Sequence, residues 1–157
     1  MNPKFEFEVL NAIRNKFLKL LDEHTEEQLL TVPEGFNNNI LWQIGHSVVS
    51  HQRLLYLKSG LEMNVAASYV NNFKIGTSPA MWTKDVSVLE VKNSLFSTVL
   101  QFQKDWDTGI FVNYEVVQTS FGINLTNPHD AFAFSNVHEA LHYGNAFAIS
   151  KVVKSKI

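Results

Sequence analysis

Apolar residues recur at helical spacing in long stretches of this chain, separated by segments that lack such a rhythm. In the first stretch Phe5, Val9, Ile13, Phe17 and Leu20 fall three or four residues apart, which predicts a helix from Lys4 to Glu23. TVPEGFNNN (31–39) has the Pro, Gly and Asn content of a loop. ILWQIGHSVVSHQRLLYLKS (40–59) predicts a second helix, stopped by Gly60. A third begins at SVLE, where Ser87 and Glu90 have the spacing of a capping box, and runs to Asp105. A fourth opens at NPHD and runs to Lys154. Asn127 is suited to cap it, Pro128 to its first position, and Asp130 to the positive end of its dipole.

Two connections are long. Residues 61–86 read as irregular, and 109–127 contains FVNYEVVQTSFG, whose β-leaning composition predicts a small hairpin or extended arm. Four helices of about 20 residues with little strand predict an all-α fold, a four-helix bundle forming one domain over residues 1–157. The two long loops are expected to roof one end of it, since long ordered loops are often functional walls or lids.

Composition narrows the chemistry. The chain has 157 residues, 45% apolar and 18% charged, as in an ordinary globular protein. Thirteen basic and fifteen acidic residues leave a net charge of −2, with no basic face to attract nucleic acid. The cluster Lys151, Lys154 and Lys156 is accounted for by the negative end of a helix dipole. No stretch approaches the roughly 20 apolar residues of a membrane span, and the start lacks the apolar run of a signal peptide, so the expected setting is cytoplasmic. There are no cysteines. A metal would therefore be held by His, Asp or Glu, and a sulfur nucleophile would have to arrive as a substrate.

The motif that stands out is HEALHYG (138–144), an H-E-x-x-H pattern on the predicted last helix. His138 and His142 lie one turn apart and about 40° around the axis, so both rings can address one ion. The alternative is a pair of half-buried histidines hydrogen-bonded to neighbours. A zinc-protease reading fails, because none of the fifteen residues after His142 is Asp, Glu, His or Cys, and Asn145 and Ala148 stand where the extended motif needs Gly and His. The third ligand must come from upstream, and His46 is the best placed, mid-way along the second helix after Gly45, which permits close approach of a neighbouring backbone. His51, about 140° around from His46, is expected at the surface or an interface. His24 suits the first helix's C-terminus, and His129 lies roughly 13 Å along the axis from His138, too far to join.

FNNNILWQIGHSVVSHQRLLYLKSG, followed at the far end by HEALHYGNAFAISKVV, resembles the DinB-like superfamily. The resemblance rests on Trp42 before Gly45-His46 in the second helix and on an H-x-x-x-H followed shortly by Gly in the last. It implies an antiparallel four-helix bundle, usually a homodimer, whose three histidines hold a divalent metal such as Zn or Ni. By position those are His46, His138 and His142. It also implies a small-molecule substrate. Some relatives transfer low-molecular-weight thiols (bacillithiol, mycothiol, glutathione) onto electrophiles or isomerise with a thiol cofactor.

Three neutral imidazoles would leave the ion's charge uncancelled and a coordination position open, a site that activates water or a thiol at neutral pH. Glu139 lies about 60–100° around from the two ligands and could orient a ring or take a proton from bound water; a half-exposed helix glutamate is the equal alternative. Arg53, about 10 Å beyond His46 along the same stripe, could receive a substrate carboxylate, or be solvated or engaged in a dimer. Trp42, one turn before His46, could wall a pocket, with core packing the default. Ser47 and Ser50 flank His46 without an acid to complete a triad. The expected activity is metal-dependent thiol transfer to a small electrophile, with metal-assisted hydrolysis second. The competing class is a non-enzymatic dimeric binding or stress-response protein.

Overall fold

The computed structural model describes residues 3–84 and 86–154. The fold is all-α, with one two-stranded ribbon. Helix α1 spans Lys4–Asp22, with Glu23 as its C-cap. A five-residue helix, α2 (Glu26–Leu30), follows just before the expected loop at 31–39, in a stretch for which the sequence pattern indicates no element. Its N-terminus is a full capping box in which Thr25 accepts from the Gln28 backbone and Gln28 accepts from the Thr25 backbone.

Helix α3 spans Ile40–Leu55, capped by Asn39, whose side chain accepts from Trp42 N at 2.8 Å. It tightens into a 3₁₀ turn at Leu57–Ser59 and ends at Gly60, whose φ of 76° is the left-handed conformation expected of a helix stop. The stretch predicted to be irregular contains α4 (Ala67–Phe73) and a 3₁₀ turn at Pro79–Met81. A seven-residue helix offers barely two turns of periodicity, so only Tyr69 and Phe73, both buried and four apart, could have revealed it.

Helix α5 (Val88–Asp107) starts on Ser87, whose hydroxyl accepts from Glu90 N at 3.1 Å. The next connection forms the expected hairpin: β1 (Val117–Gln118) pairs antiparallel with β2 (Asn124–Leu125). Helix α6 (Pro128–Lys154) is capped by Asn127, which accepts from Asp130 N, while Asp130 folds back onto the Thr126 amide and hydroxyl. Lys156 of the terminal lysine group lies outside the described residues. No helix among them is long and apolar enough to cross a membrane.

Helix α3 packs most extensively on α6; α6 also packs on α1, α1 on α5, and α5 on α3. The core has two apolar parts. One gathers Phe17, Ile44, Val48, Phe73, Leu95 and Ile149; the other is aromatic, built on Phe7, Tyr56, Phe102 and Phe132. A buried polar layer lies between them in sequence on every long helix. Arg14 falls between Leu10 and Phe17, His51 between Val49 and Leu55, Thr98 between Leu95 and Val99, and Glu139 between Phe132 and Ala146.

Candidate metal centre

Helices α3 and α6 bring His46, His138 and His142 together, with one ligand-capable ring nitrogen from each within 4.8 Å of the others. The hydrogen bonds on the opposite ring edges settle which nitrogens are free. His46 Nδ1 lies 2.8 Å from the carbonyl of Phe73, which can only accept, so Nδ1 carries the proton and Nε2 is a lone pair. His142 Nδ1 likewise donates to Gln43 Oε1 at 2.5 Å, leaving its Nε2 bare and 3.2 Å from His138 Nε2. Fixing a histidine's tautomer through a carbonyl or amide behind it is the usual support of a metal ligand. The donor set fits a divalent metal ion, since neutral imidazole nitrogen is a common ligand for such ions.

The local sequence explains these positions. Gly45 has no side chain where the Phe73 ring sits; an added Cβ would fall 2.4–2.6 Å from three of its ring carbons. The expected close approach at Gly45 is therefore made by a side chain of α4, and it carries the Phe73 carbonyl onto His46. Trp42 stacks on the His46 imidazole, with centroids 4.5 Å apart and planes 11° off parallel, and donates its indole N–H to Thr77 Oγ1 at 3.1 Å. Trp42 is buried in the core, the default expected of it, and it does not line the cavity beside the histidines.

Burial favours neutral imidazole throughout the cluster. It lowers His46, with the Phe73 hydrogen bond opposing and the Arg53 charge adding to the effect. Burial, then the His46 charge, pushes His138 down to about 4; burial, then His46 and His138, pushes His142 down to about 3. Near neutral pH the three rings are thus uncharged, the form in which imidazole binds a metal.

A cavity of about 310 Å³ opens beside His46 and His138, walled by Arg53, Leu54, Phe134 and the β1 end of the hairpin. The hairpin is held there by Lys58, whose carbonyl accepts from Glu115 N and whose ammonium bonds the Glu115 carboxylate, both at 2.7 Å. Ser50, set aside as a nucleophile, also lines it and donates to His46 Nε2 across 3.1 Å.

Glu139 is elsewhere. Both expectations, that it orients a ring or takes a proton from bound water and that it is half-exposed, are corrected by its geometry. Its side chain is fully buried, and both carboxylate oxygens are engaged by Arg14, from Nε at 2.7 Å and Nη2 at 2.6 Å. Arg14 Nη1 also reaches the Leu95 carbonyl at 3.1 Å, so the pair ties α1 and α6 to α5. Burial pushes the Glu139 carboxyl up and the guanidinium offsets part of that. His51, expected at the surface, is 1% exposed and packs edge-on against Phe102 at 4.7 Å. His24 accepts its expected place at the end of α1, its Nδ1 2.7 Å from the Leu20 carbonyl, and His129 packs on Trp106, away from the cluster.

Gln43, Arg14 and the Phe73 carbonyl went unrecognised in the sequence. Gln43 had a signal, lying three residues before His46 on the same helix, and so did Arg14, which takes a place in the apolar stripe Leu10, Phe17, Leu21 of α1. The Phe73 carbonyl had none, because any residue supplies one.

The family model of the DinB superfamily matches residues 10–146. No curated protein matches the chain. Among solved structures, a conserved protein from Enterococcus faecalis superposes with a TM-score of 0.68 at 11% identity, covering 99% of this chain and 98% of that one. At that identity the likeness is one of fold.

Proposed function

The chain belongs to the DinB superfamily, and from that premise we propose that it is a divalent-metal-dependent enzyme built on an antiparallel four-helix bundle, with His46, His138 and His142 as ligands. The observation that carries this reading is the gathering of one ring nitrogen from each histidine within 4.8 Å of the others, with His46 Nδ1 donating to Phe73 O and His142 Nδ1 to Gln43 Oε1 so that both Nε2 atoms keep their lone pairs. An ion held there supplies Lewis acidity, toward water or a thiol, at a position open to the cavity.

Transfer of a low-molecular-weight thiol to a small electrophile is the favoured reaction. The chain has no cysteine, so the sulfur comes with a co-substrate, and the cavity beside the histidines has room for a small molecule. Each residue has a share in this. Gln43 and the Phe73 carbonyl hold the rings in one tautomer, Trp42 keeps His46 from rotating, and Arg53 faces the entering substrate. Metal-assisted hydrolysis uses the same arrangement with water in place of the thiol. Glu139 acts at a distance, by holding the α6 segment between the two histidines against α1.

A homodimer accompanies this reading. Val137, Leu141, Gly144 and Ala148 lie four, three and four residues apart on the exposed face of α6, an apolar stripe that a second copy would cover. The test of function is thiol-conjugation assay of the metal-loaded protein with a panel of small electrophiles. Turnover that disappears in His46→Ala, with the fold retained, supports transfer. Turnover of ester or amide substrates alone supports hydrolysis.

A further inference from the structure

The cavity beside the histidines contains one charge that the fold leaves unanswered. Two cations line it and, among the described residues, no carboxylate does. Lys58 is neutralised by Glu115 at 2.7 Å. Arg53 is half-buried, yet no described residue gives it a hydrogen bond or ion pair. The buried guanidinium of Arg14 shows the contrast, since it is met by both oxygens of Glu139 and by a carbonyl. A partly desolvated guanidinium without a partner is a site for an anion, because its planar fork matches a carboxylate with two parallel N–H bonds.

The rest of the wall says what the anion is attached to. Leu54 and Phe134 add apolar surface to the same cavity, while Thr119 and Ser120 of the hairpin supply hydroxyls. The volume of about 310 Å³ is at the small end of ligand pockets. Arg53 lies in the last turn of α3, where the helix dipole is negative. That disfavours a dianion such as phosphate and leaves a singly charged group as the better match. Its charge is felt at the candidate metal site, where it is one of the influences on His46.

We propose that this cavity takes a small organic acid, its carboxylate on Arg53, its reacting atom at the three histidines, and the carbons between them against Leu54 and Phe134. Arg53 then selects the substrate by charge. Spacing from His46 of about 10 Å along the axis, less the reach of the side chains, calls for a spacer of several carbons. The proposal rests on the metal-site reading above, and its test separates the two.

Cobalt-loaded protein is titrated with 6-mercaptohexanoate and with 6-mercapto-1-hexanol, following the sulfur-to-cobalt charge-transfer band. The two thiols share a length and differ in the charge. The acid is expected to bind about 10-fold tighter, the worth of one charge-assisted hydrogen-bonded contact at a partly exposed site. In Arg53→Gln that preference should vanish while cobalt content is unchanged, and Arg53→Lys should restore part of it. Equal affinity of both thiols for the unaltered protein, or a preference that survives Arg53→Gln, overturns the proposal. Should no cobalt bind, the metal reading fails by itself, and hexanoate is titrated into the metal-free protein against hexanol. A saturable shift of the Arg53 Nε–H resonance by hexanoate alone would uphold the anion site, and no shift would overturn it.

Discussion

At Gly45 the helix has no room for even a methyl group, since the Phe73 ring occupies the space of a Cβ. That close contact connects packing to chemistry, because the same Phe73 holds His46 Nδ1 through its carbonyl. Gly45→Ala is therefore expected to destabilise the protein by about 1–3 kcal/mol, the usual range for an overpacked core site. It should weaken metal binding as well, because Phe73 must move. Urea unfolding and a competitive metal titration check the two effects; a variant with unchanged metal affinity would separate Gly45 from the site. Gln43→Leu probes the other support. Loss of the bond to His142 Nδ1 should lower metal affinity by about 10- to 100-fold, the range known for such outer partners.

At the same scale, His51 has two buried ring nitrogens without a hydrogen-bond partner among the described residues. Burial, and then the nearby Arg14 charge, holds its pKa well below the usual value. A base whose folded pKa is depressed contributes stability that is present above its unfolded pKa and is lost as pH falls below it. Metal-free protein should accordingly lose stability between about pH 6.5 and pH 5, with the other lowered histidines contributing. His51→Leu should make that loss shallower. Urea midpoints measured across this range test it, and an unaltered slope would show that His51 is not among the responsible groups.

Between helices, the Arg14–Glu139 pair joins residues 125 apart in sequence and closes α1 onto α6. Buried ion pairs stabilise little relative to apolar residues of the same shape, yet breaking one leaves an uncompensated charge. Arg14→Met is expected to cost about 3–5 kcal/mol, and Arg14→Met with Glu139→Leu to recover most of it. The double variant should still bind metal, since the histidines draw their direct supports from α3 and α4; loss of metal there would bring Glu139 back toward the site. The separation also explains what sequence could and could not convey about these elements. The three histidines were legible because two share one helix turn and the third sits beside a glycine in a long, strongly apolar helix. The partner of Glu139 was not, because a glutamate adjacent to a ligand has the same letter whether it faces the ion or a cation across the core. The short helices α2 and α4 were missed for lack of periods, and with α4 went the Phe73 carbonyl.

Over the whole molecule, the two apolar core parts and the polar layer between them give the long helices one register, and that register sets His46 opposite His138 and His142. The hairpin, anticipated from β-leaning composition, closes the cavity's side through Lys58 and Glu115. That pair is partly exposed and worth well under about 1 kcal/mol by itself, so the backbone bond beside it is the firmer tie. The exposed stripe on α6 bears on assembly. If the proposed dimer forms through this stripe, light scattering coupled to gel filtration should give twice the chain mass for the unaltered protein and the single-chain mass for Leu141→Glu, with helicity retained. A monomeric unaltered protein would contradict the homodimer.

The three histidines are proposed to hold one divalent ion at an open position. Metal analysis of protein purified without a histidine tag, alongside His46→Ala and His142→Ala, tests it most directly. Near one equivalent of zinc or nickel per chain, lost in both variants while circular dichroism shows the helices intact, is the expected result. An unaltered protein that takes up neither metal after supplementation would show that the three histidines hold no such ion.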